Sequence, residues 1–208
     1  MKRIVIAVAI ALMGIMALPA EASAQFDLSK LLGGSSNNTS KKSPYKTLAE
    51  NAPQKKQVVG TWSYEDFNIE YLGSNSFATT AISQVESYGR AELVEAGVTP
   101  GCFTIKLNAN GTGSFCYEEY VYEGRYNYDS ATARFMLSAT ADNGKNLECG
   151  GFLKMTPQGK LVVMFKAEDA VRAFKTVLPD ADDDSTFEMI EGVVQSFPGI
   201  YLSMRCTR

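Results

Sequence analysis

Alternation of apolar and polar positions dominates the chain from Val58 onward. Val58–Tyr64 reads as one strand, and after a long excursion the two-residue period returns at Phe103, Ile105 and Leu107, separated by Thr104 and Lys106. Asn108-Ala109-Asn110-Gly111 predicts a hairpin turn, because Gly111 can take the positive φ that closes one. The return strand puts Phe115 and Tyr117 on one face, with Ser114 and Cys116 on the other. Further strands are predicted at 123–129, 133–139, 147–156 and 161–167, punctuated by Asp142-Asn143-Gly144 and Pro157-Gln158-Gly159. Pro198-Gly199 then turns the chain into a last strand, 200–208.

Helical spacing interrupts this pattern three times. After the first strand, Thr79 or Thr80 can cap a helix whose face is Ile82, Val85, Tyr88 or Gly89, and Leu93, with Gly97 and Pro100 as its stop. Gly89 in its middle costs about 1 kcal/mol against alanine. Before the last strand come 168–178, with Val171, Phe174, Val177 and Leu178 on one face, and 186–197, with Phe187, Ile190, Val194 and Phe197. Regular short strands joined by tight turns imply a meander, and closing it removes exposed edges. The expected fold is therefore mainly β: one antiparallel up-and-down β-barrel over residues 57–208, with a helical insertion after its first strand and two helices before its last.

The N-terminal part has a different character. Lys2 and Arg3, an apolar run from Ile4 to Leu18, and Ala22-Ser23-Ala24 read as a signal peptide over residues 1–24. This predicts an exported protein, periplasmic or extracellular in a bacterium. The apolar run is too short for a comfortable membrane span, so the chain is read as not membrane-spanning. Residues 25–56 read as a disordered tail or linker, since Gly33-Gly34-Ser35-Ser36-Asn37-Asn38 cannot bury enough apolar surface to offset its conformational entropy. Leu28, Leu31 and Leu32 before it could form a short docking turn.

Composition removes several function classes. The formal net charge is −3, and losing Lys2, Arg3 and Glu21 makes it one unit more negative. No basic clustering suited to a nucleic-acid partner is present. The chain has no histidine, which removes Ser-His and Cys-His nucleophile activation and the commonest zinc ligand. No catalytic residue, cofactor or metal site is assigned, and the chain is read as a non-enzyme.

Gly60-Thr61-Trp62 on the first strand, the meander, a helix before the final strand and an arginine on that strand together resemble the lipocalin-like, or calycin, group. Within it the chain is most similar to a family of exported bacterial proteins known only as a lipocalin-like domain of unknown function. The resemblance covers about 58–208 and includes Val98-Thr99-Pro100-Gly101 and Asn108-Ala109-Asn110-Gly111-Thr112. It implies that Trp62 packs at the closed end of the barrel against a basic side chain of the last strand. By position that is Arg205, with Arg208 as the alternative, and the pair is structural. The long helical excursion and the paired helices depart from the usual lipocalin pattern, and either could cover or fill the barrel mouth.

The period places Tyr64, Phe103, Ile105, Leu107, Phe115, Tyr117, Tyr126, Tyr128, Phe135, Leu137, Leu153, Leu161, Val163 and Phe165 on the inner face. Of these, Tyr64, Phe103, Ile105, Phe115, Tyr117, Tyr126, Tyr128, Phe135 and Phe165 are the cavity-lining candidates for a small apolar or amphipathic ligand. A barrel of this size holds one small ligand or is filled by its own side chains, and so many rings leave both readings open. Exposed members of the run Tyr117, Tyr120, Tyr122, Tyr126, Tyr128 could stack on sugar or aromatic ligands. Cys102 and Cys116 share the face opposite Phe103 and Phe115, within disulfide reach if their register is direct rather than diagonal. Asp180, Asp182, Asp184, Glu188 and Glu191 follow calcium-loop spacing, but Ser185 replaces the required glycine. Ser185 with Glu188 equally makes a capping box.

Overall fold

The computed structural model describes residues 44–75, 78, 82, 86, 90, 94, 97–117, 120–140, 144, 146–177 and 194–208. The strands are β1 (Gly60–Tyr71), β2 (Phe103–Leu107), β3 (Thr112–Tyr117), β4 (Tyr120–Asp129), β5 (Arg134–Thr140), β6 (Asn146–Met155), β7 (Leu161–Lys166) and β8 (Ile200–Thr207). They form a closed antiparallel barrel in sequence order, β8 returning to pair with β1. The helices are α1 (Pro44–Glu50), α2 (Lys55–Val58) and α3 (Ala167–Val177). Ala78, Ile82, Glu86, Arg90 and Val94 after β1 are also helical, as are residues 194–196 before β8. The expected signal peptide, the acidic stretch Asp180–Glu191 and residues 186–193 of the last expected helix lie outside the described residues.

The turns form where the sequence supplies their residues. Gly111 has φ +85° and its N–H donates to Asn108 O at 3.1 Å, closing the β2–β3 hairpin. Asp129 shapes the β4–β5 turn by accepting from Ala131 N and Thr132 Oγ1.

Strand pairing carries a consistent inner face around the barrel. Cross-strand neighbours run Ile105–Phe115–Tyr122 and Leu107–Gly113–Gly124–Ala139 on one side, and Leu137–Cys149 and Leu153–Val163–Met204 on the other. On β1 the parity changes midway. Trp62 and Tyr64 are buried, then a register shift between Tyr64 and Asp66 makes Phe67 and Ile69 the next buried residues. An extra residue on one strand is what reverses the facing of everything after it. The expected inner set follows β1 only to Tyr64, so Phe67 and Ile69 are additions to it.

Three apolar clusters result. The lower interior contains Val58, Trp62, Leu107, Tyr126, Tyr128, Phe135, Leu153, Leu161, Val163 and Cys206. The upper interior joins Tyr64, Phe67, Ile69, Phe103 and Leu202 to Ala78, Val98, Ala167, Ala170, Val171, Val194 and Phe197, so the helical pieces pack over this end. The third cluster lies outside the barrel wall, where α1 buries Leu48 against Ala133, Phe152, Val162, Met164 and Tyr201. The packed structure thus includes residues 44–56, which the sequence pattern assigned to the tail. A seven-residue helix is marginal alone in water, and contact with the barrel holds it.

At the upper end two ladders stop short, and a carboxylate completes each. The β1–β2 ladder ends at Ser63–Thr104, and farther along β1 the Ile69 N–H donates to Glu86 at 2.9 Å. The β6–β7 ladder begins at Gly151–Phe165, and the Gly150 N–H just outside it donates to Asp169 on α3 at 2.9 Å. A buried backbone donor left unpaired costs about 1–3 kcal/mol, so these contacts fasten the helices to free strand edges.

Candidate functional site

The lower end is shut. Trp62 is 1% exposed and its Nε1–H donates to Val58 O at 2.8 Å, tying the indole to the end of α2. Tyr126 and Tyr128 donate from their hydroxyls to Asn108 O and Pro53 O, both at 2.6 Å. The guanidinium over the indole belongs to Arg208, its Cζ 4.6 Å from the ring centroid, and not to Arg205. Cys206 is fully buried, so its neighbour Arg205 points outward by the strand's two-residue period. Arg208 has left the strand and folds back, donating to Gln57 O at 3.0 Å and Val59 O at 3.1 Å.

Arg205 joins a chain of alternating charges on the outer wall. It donates to Glu65 at 2.9 Å and Asp66 at 2.8 Å, Lys160 pairs with the other Glu65 oxygen, and Arg90 pairs with Asp66 and Glu86. The Lys160 hydrogen bond, supported by Arg205, holds the Glu65 carboxyl below its usual range. Burial pushes Asp66 upward, but hydrogen bonding and charge from Arg90, with smaller help from Phe67 N–H and Arg205, leave it below normal. Arg90 also donates to Asn68 Oδ1 at 2.6 Å, so this network anchors the helical residues after β1.

The upper interior is the candidate binding site. Tyr64 and Phe103 stack with ring centroids 4.5 Å apart, and Phe115 follows at 4.8 Å. Of the nine expected lining residues, Tyr64, Phe103, Tyr126, Tyr128 and Phe135 are buried, while Ile105, Phe115 and Phe165 are half-buried. Tyr126, Tyr128 and Phe135 belong to the lower cluster, and Tyr64 and Phe103 to the upper. Tyr117 pairs with Phe103 through its backbone, but its side chain lies outside the description.

Half-burial continues along the inner wall at Tyr122, Leu137, Cys149 and Met204, all packed against one or other interior cluster. Side chains that face inward yet keep accessible surface leave space beside them. At Gly113 and Gly124 the neighbouring chain closes in instead, since a β-carbon would lie 2.9 Å from Lys106 O at the first and 2.6 Å from Ser138 O at the second. Tyr122, Tyr126 and Tyr128 join the interior clusters, so they offer no outer stacking surface. By the strand registers, the inward positions described on β2 to β8 carry no Asp, Glu, Lys or Arg. Cys149, Tyr122 and Met204 were missing from the expected lining, although the same alternation applied one strand farther would have found them.

The expected disulfide does not form. Cys116 is opposite Thr104, which leaves Cys102 on the diagonal, and all four cysteines are free thiols. Burial, with a smaller push from Asp169, raises Cys149 from 9.0 to about 12. Burial raises Cys206 from 9.0 to about 12 and Tyr128 from 10.0 to about 12, helped by Glu65 and Asp129 respectively. For a raised folded value the stability contribution is full below the unfolded value and is lost as pH climbs through the folded one. Under reducing conditions the urea midpoint is therefore expected to fall between pH 9 and about 12. Each such proton steepens the loss by up to about 1.4 kcal/mol per pH unit. A midpoint that stays flat across that window would show these groups ionising freely in the folded protein.

Among the described residues no helix is long and apolar enough to cross a membrane. Residues 32–208 match a family model described as Lipocalin-like domain (DUF4923). No curated protein and no solved structure matches the chain. A match over that span, on a closed eight-stranded meander shut below by Trp62, places this chain in the lipocalin-like DUF4923 family.

Proposed function

We propose that this protein is an exported, non-enzymatic carrier that holds one small, uncharged apolar molecule in the upper half of its barrel. The observation that carries the reading is the half-buried inner wall of Ile105, Phe115, Tyr122, Leu137, Cys149, Phe165 and Met204. Ligand sites are typically apolar and concave with few polar groups, and this wall has that composition. The lower cluster is filled by its own side chains, so the molecule rests on the floor made by Tyr126, Phe135 and Leu153. The absence of charged residues from the inward register positions favours an uncharged ligand. A buried ion without a partner is strongly disfavoured, so an ionised group would have to stay at the upper rim. Export rests on the leader at residues 1–24.

A matched pair of probes tests this: neutral N-phenyl-1-naphthylamine and the same molecule carrying a sulfonate. Trp62 is the sole tryptophan and sits beneath the proposed site, so energy transfer from it reports occupancy of the interior. The neutral probe is expected to give sensitised emission and to bind at least about ten-fold tighter than the sulfonate, a difference of about 1.4 kcal/mol. Ala139→Phe, which adds a ring at an inward register position between Gly124 and Leu147, is expected to abolish it. If neither probe draws energy from Trp62, the barrel is a filled structural or interaction module. Equal binding of the two would overturn only the charge preference.

A further inference from the structure

Outside the barrel wall lies a second concave feature, a half-open cleft of about 650 Å³ reaching from β4 across to β8 between α1 and the start of α3. Its floor is bare. Pairing sets Asn127 beside Met136 and Met136 beside Gly150, and Gly150 contributes no side chain to that row. A β-carbon there would come within 3.0 Å of Asp169 Oδ2 and 3.3 Å of Met136 Cε. One wall is aromatic. Tyr45 is 43% exposed, its ring centroid is 5.8 Å from that of buried Phe152, and Phe152 is 5.6 Å from buried Tyr201. Burial, with a smaller contribution from the neighbouring Tyr45 hydroxyl, pushes the Tyr201 phenol above its ordinary range. The cleft therefore has a flat ring fixed from beneath and wet on its outer side.

Four polar side chains of this cleft lack a partner among the described residues. Asn127, Arg134, Lys166 and Glu168 line it, and among the described residues none of their side chains makes a hydrogen bond or ion pair. Elsewhere on the wall many charged groups are paired, as in the Lys160–Glu65–Arg205–Asp66–Arg90–Glu86 chain and the Lys154–Glu70 and Arg172–Asp169 pairs. Arg134 and Lys166 offset Asp129 and Glu168, so an ionic ligand meets like charge as well as opposite charge. A neutral ring bearing many hydroxyls meets no such conflict. It finds donors in Arg134 and Lys166, an acceptor in Glu168, both in Asn127, and an apolar face for its C–H side in Tyr45. From Asn127 on β4 to Lys166 on β7 is three strand spacings, roughly 14 Å, room for one or two pyranose rings. We infer that this outer cleft is a saccharide site for a neutral mono- or disaccharide, separate from the barrel interior.

Amide NMR of the whole isotope-labelled chain tests it, using methyl glucoside, methyl galactoside, cellobiose, lactose and chitobiose as neutral probes. Glucuronate and glucosamine serve as charged controls. At least one neutral probe is expected to shift the amides of Met136, Gly150 and Gly151 saturably, with a Kd of about 1–10 mM. Asn127→Ala and Lys166→Ala, both at exposed positions, are each expected to weaken it at least about five-fold, in line with losing one hydrogen bond. Tyr45→Ala is expected to weaken it further. The inference is overturned if no neutral probe shifts these amides at about 50 mM, several times the expected Kd. It is also overturned if a charged control binds more tightly, or if the shifts fall on Phe115 and Leu137 instead.

Discussion

Trp62→Ala is expected to lower the melting temperature by roughly 6–20 °C, measured by circular dichroism because the variant lacks a tryptophan. Removing a buried tryptophan costs about 3–5 kcal/mol, and in a domain of this size each kcal/mol shifts the transition by about 2–4 °C. The site has little chance to collapse, since Val58, Leu107, Leu161 and Cys206 converge there from α2, β2, β7 and β8. Two smaller variants apportion the loss. Trp62→Phe keeps a ring but gives up the hydrogen bond to Val58 O, for about 1–2 kcal/mol. Arg208→Ala removes the cation over the indole, for about 0.5–2 kcal/mol. If Arg208→Ala proved as damaging as Trp62→Ala, closure would depend on the chain end rather than on the packed indole.

Gly151→Ala is expected to be the most damaging change to a single methyl group, costing about 3 kcal/mol or more, beyond the usual range for overpacking. Its β-carbon would overlap Met164 O and lie 2.7 Å from Met164 C and 3.0 Å from Phe165 Cα. All three atoms are main chain, so no rotamer change relieves the clash. β6 and β7 would have to separate where their ladder begins. Gly150→Ala, one residue earlier, meets a carboxylate and a methionine terminus that can move aside, and about 1 kcal/mol or less is expected. Urea denaturation followed by Trp62 emission compares the two. Equal losses would mean that the β6–β7 approach yields more easily than its geometry requires.

How far each feature could be read from the chain depended on whether its cause was local. The hairpin at Asn108–Gly111 and the alternation of Phe103, Ile105 and Leu107 are determined within a few residues, and the structure reproduces both. The β1 bulge is different. Tyr64-Glu65-Asp66-Phe67 carries no glycine or turn signal, and the parity change becomes visible only when β8 is laid alongside. The assignment of Arg205 to Trp62 failed similarly. Which arginine reaches the indole depends on the facing of β8 and on the fold-back after Thr207. Leu48 is one apolar residue in a polar context, and its burial comes from Phe152, Val162 and Tyr201 more than a hundred positions later. The interior site was legible as composition and alternation. The outer cleft was not, because its lining comes from α1, strands β4 to β8 and α3, which only the fold brings together.

The two carboxylate-fastened strand edges carry a consequence for how this protein would associate. While Glu86 and Asp169 hold Ile69 N–H and Gly150 N–H, the free stretches of β1 and β6 are occupied. A helix that swings aside, as entry of a ligand at the upper end would require, uncovers backbone donors on an otherwise closed sheet. Such an edge is a template for another strand, including the same strand of a second molecule. On the proposed carrier reading, opening at the upper end and exposure of a pairing edge are therefore one motion.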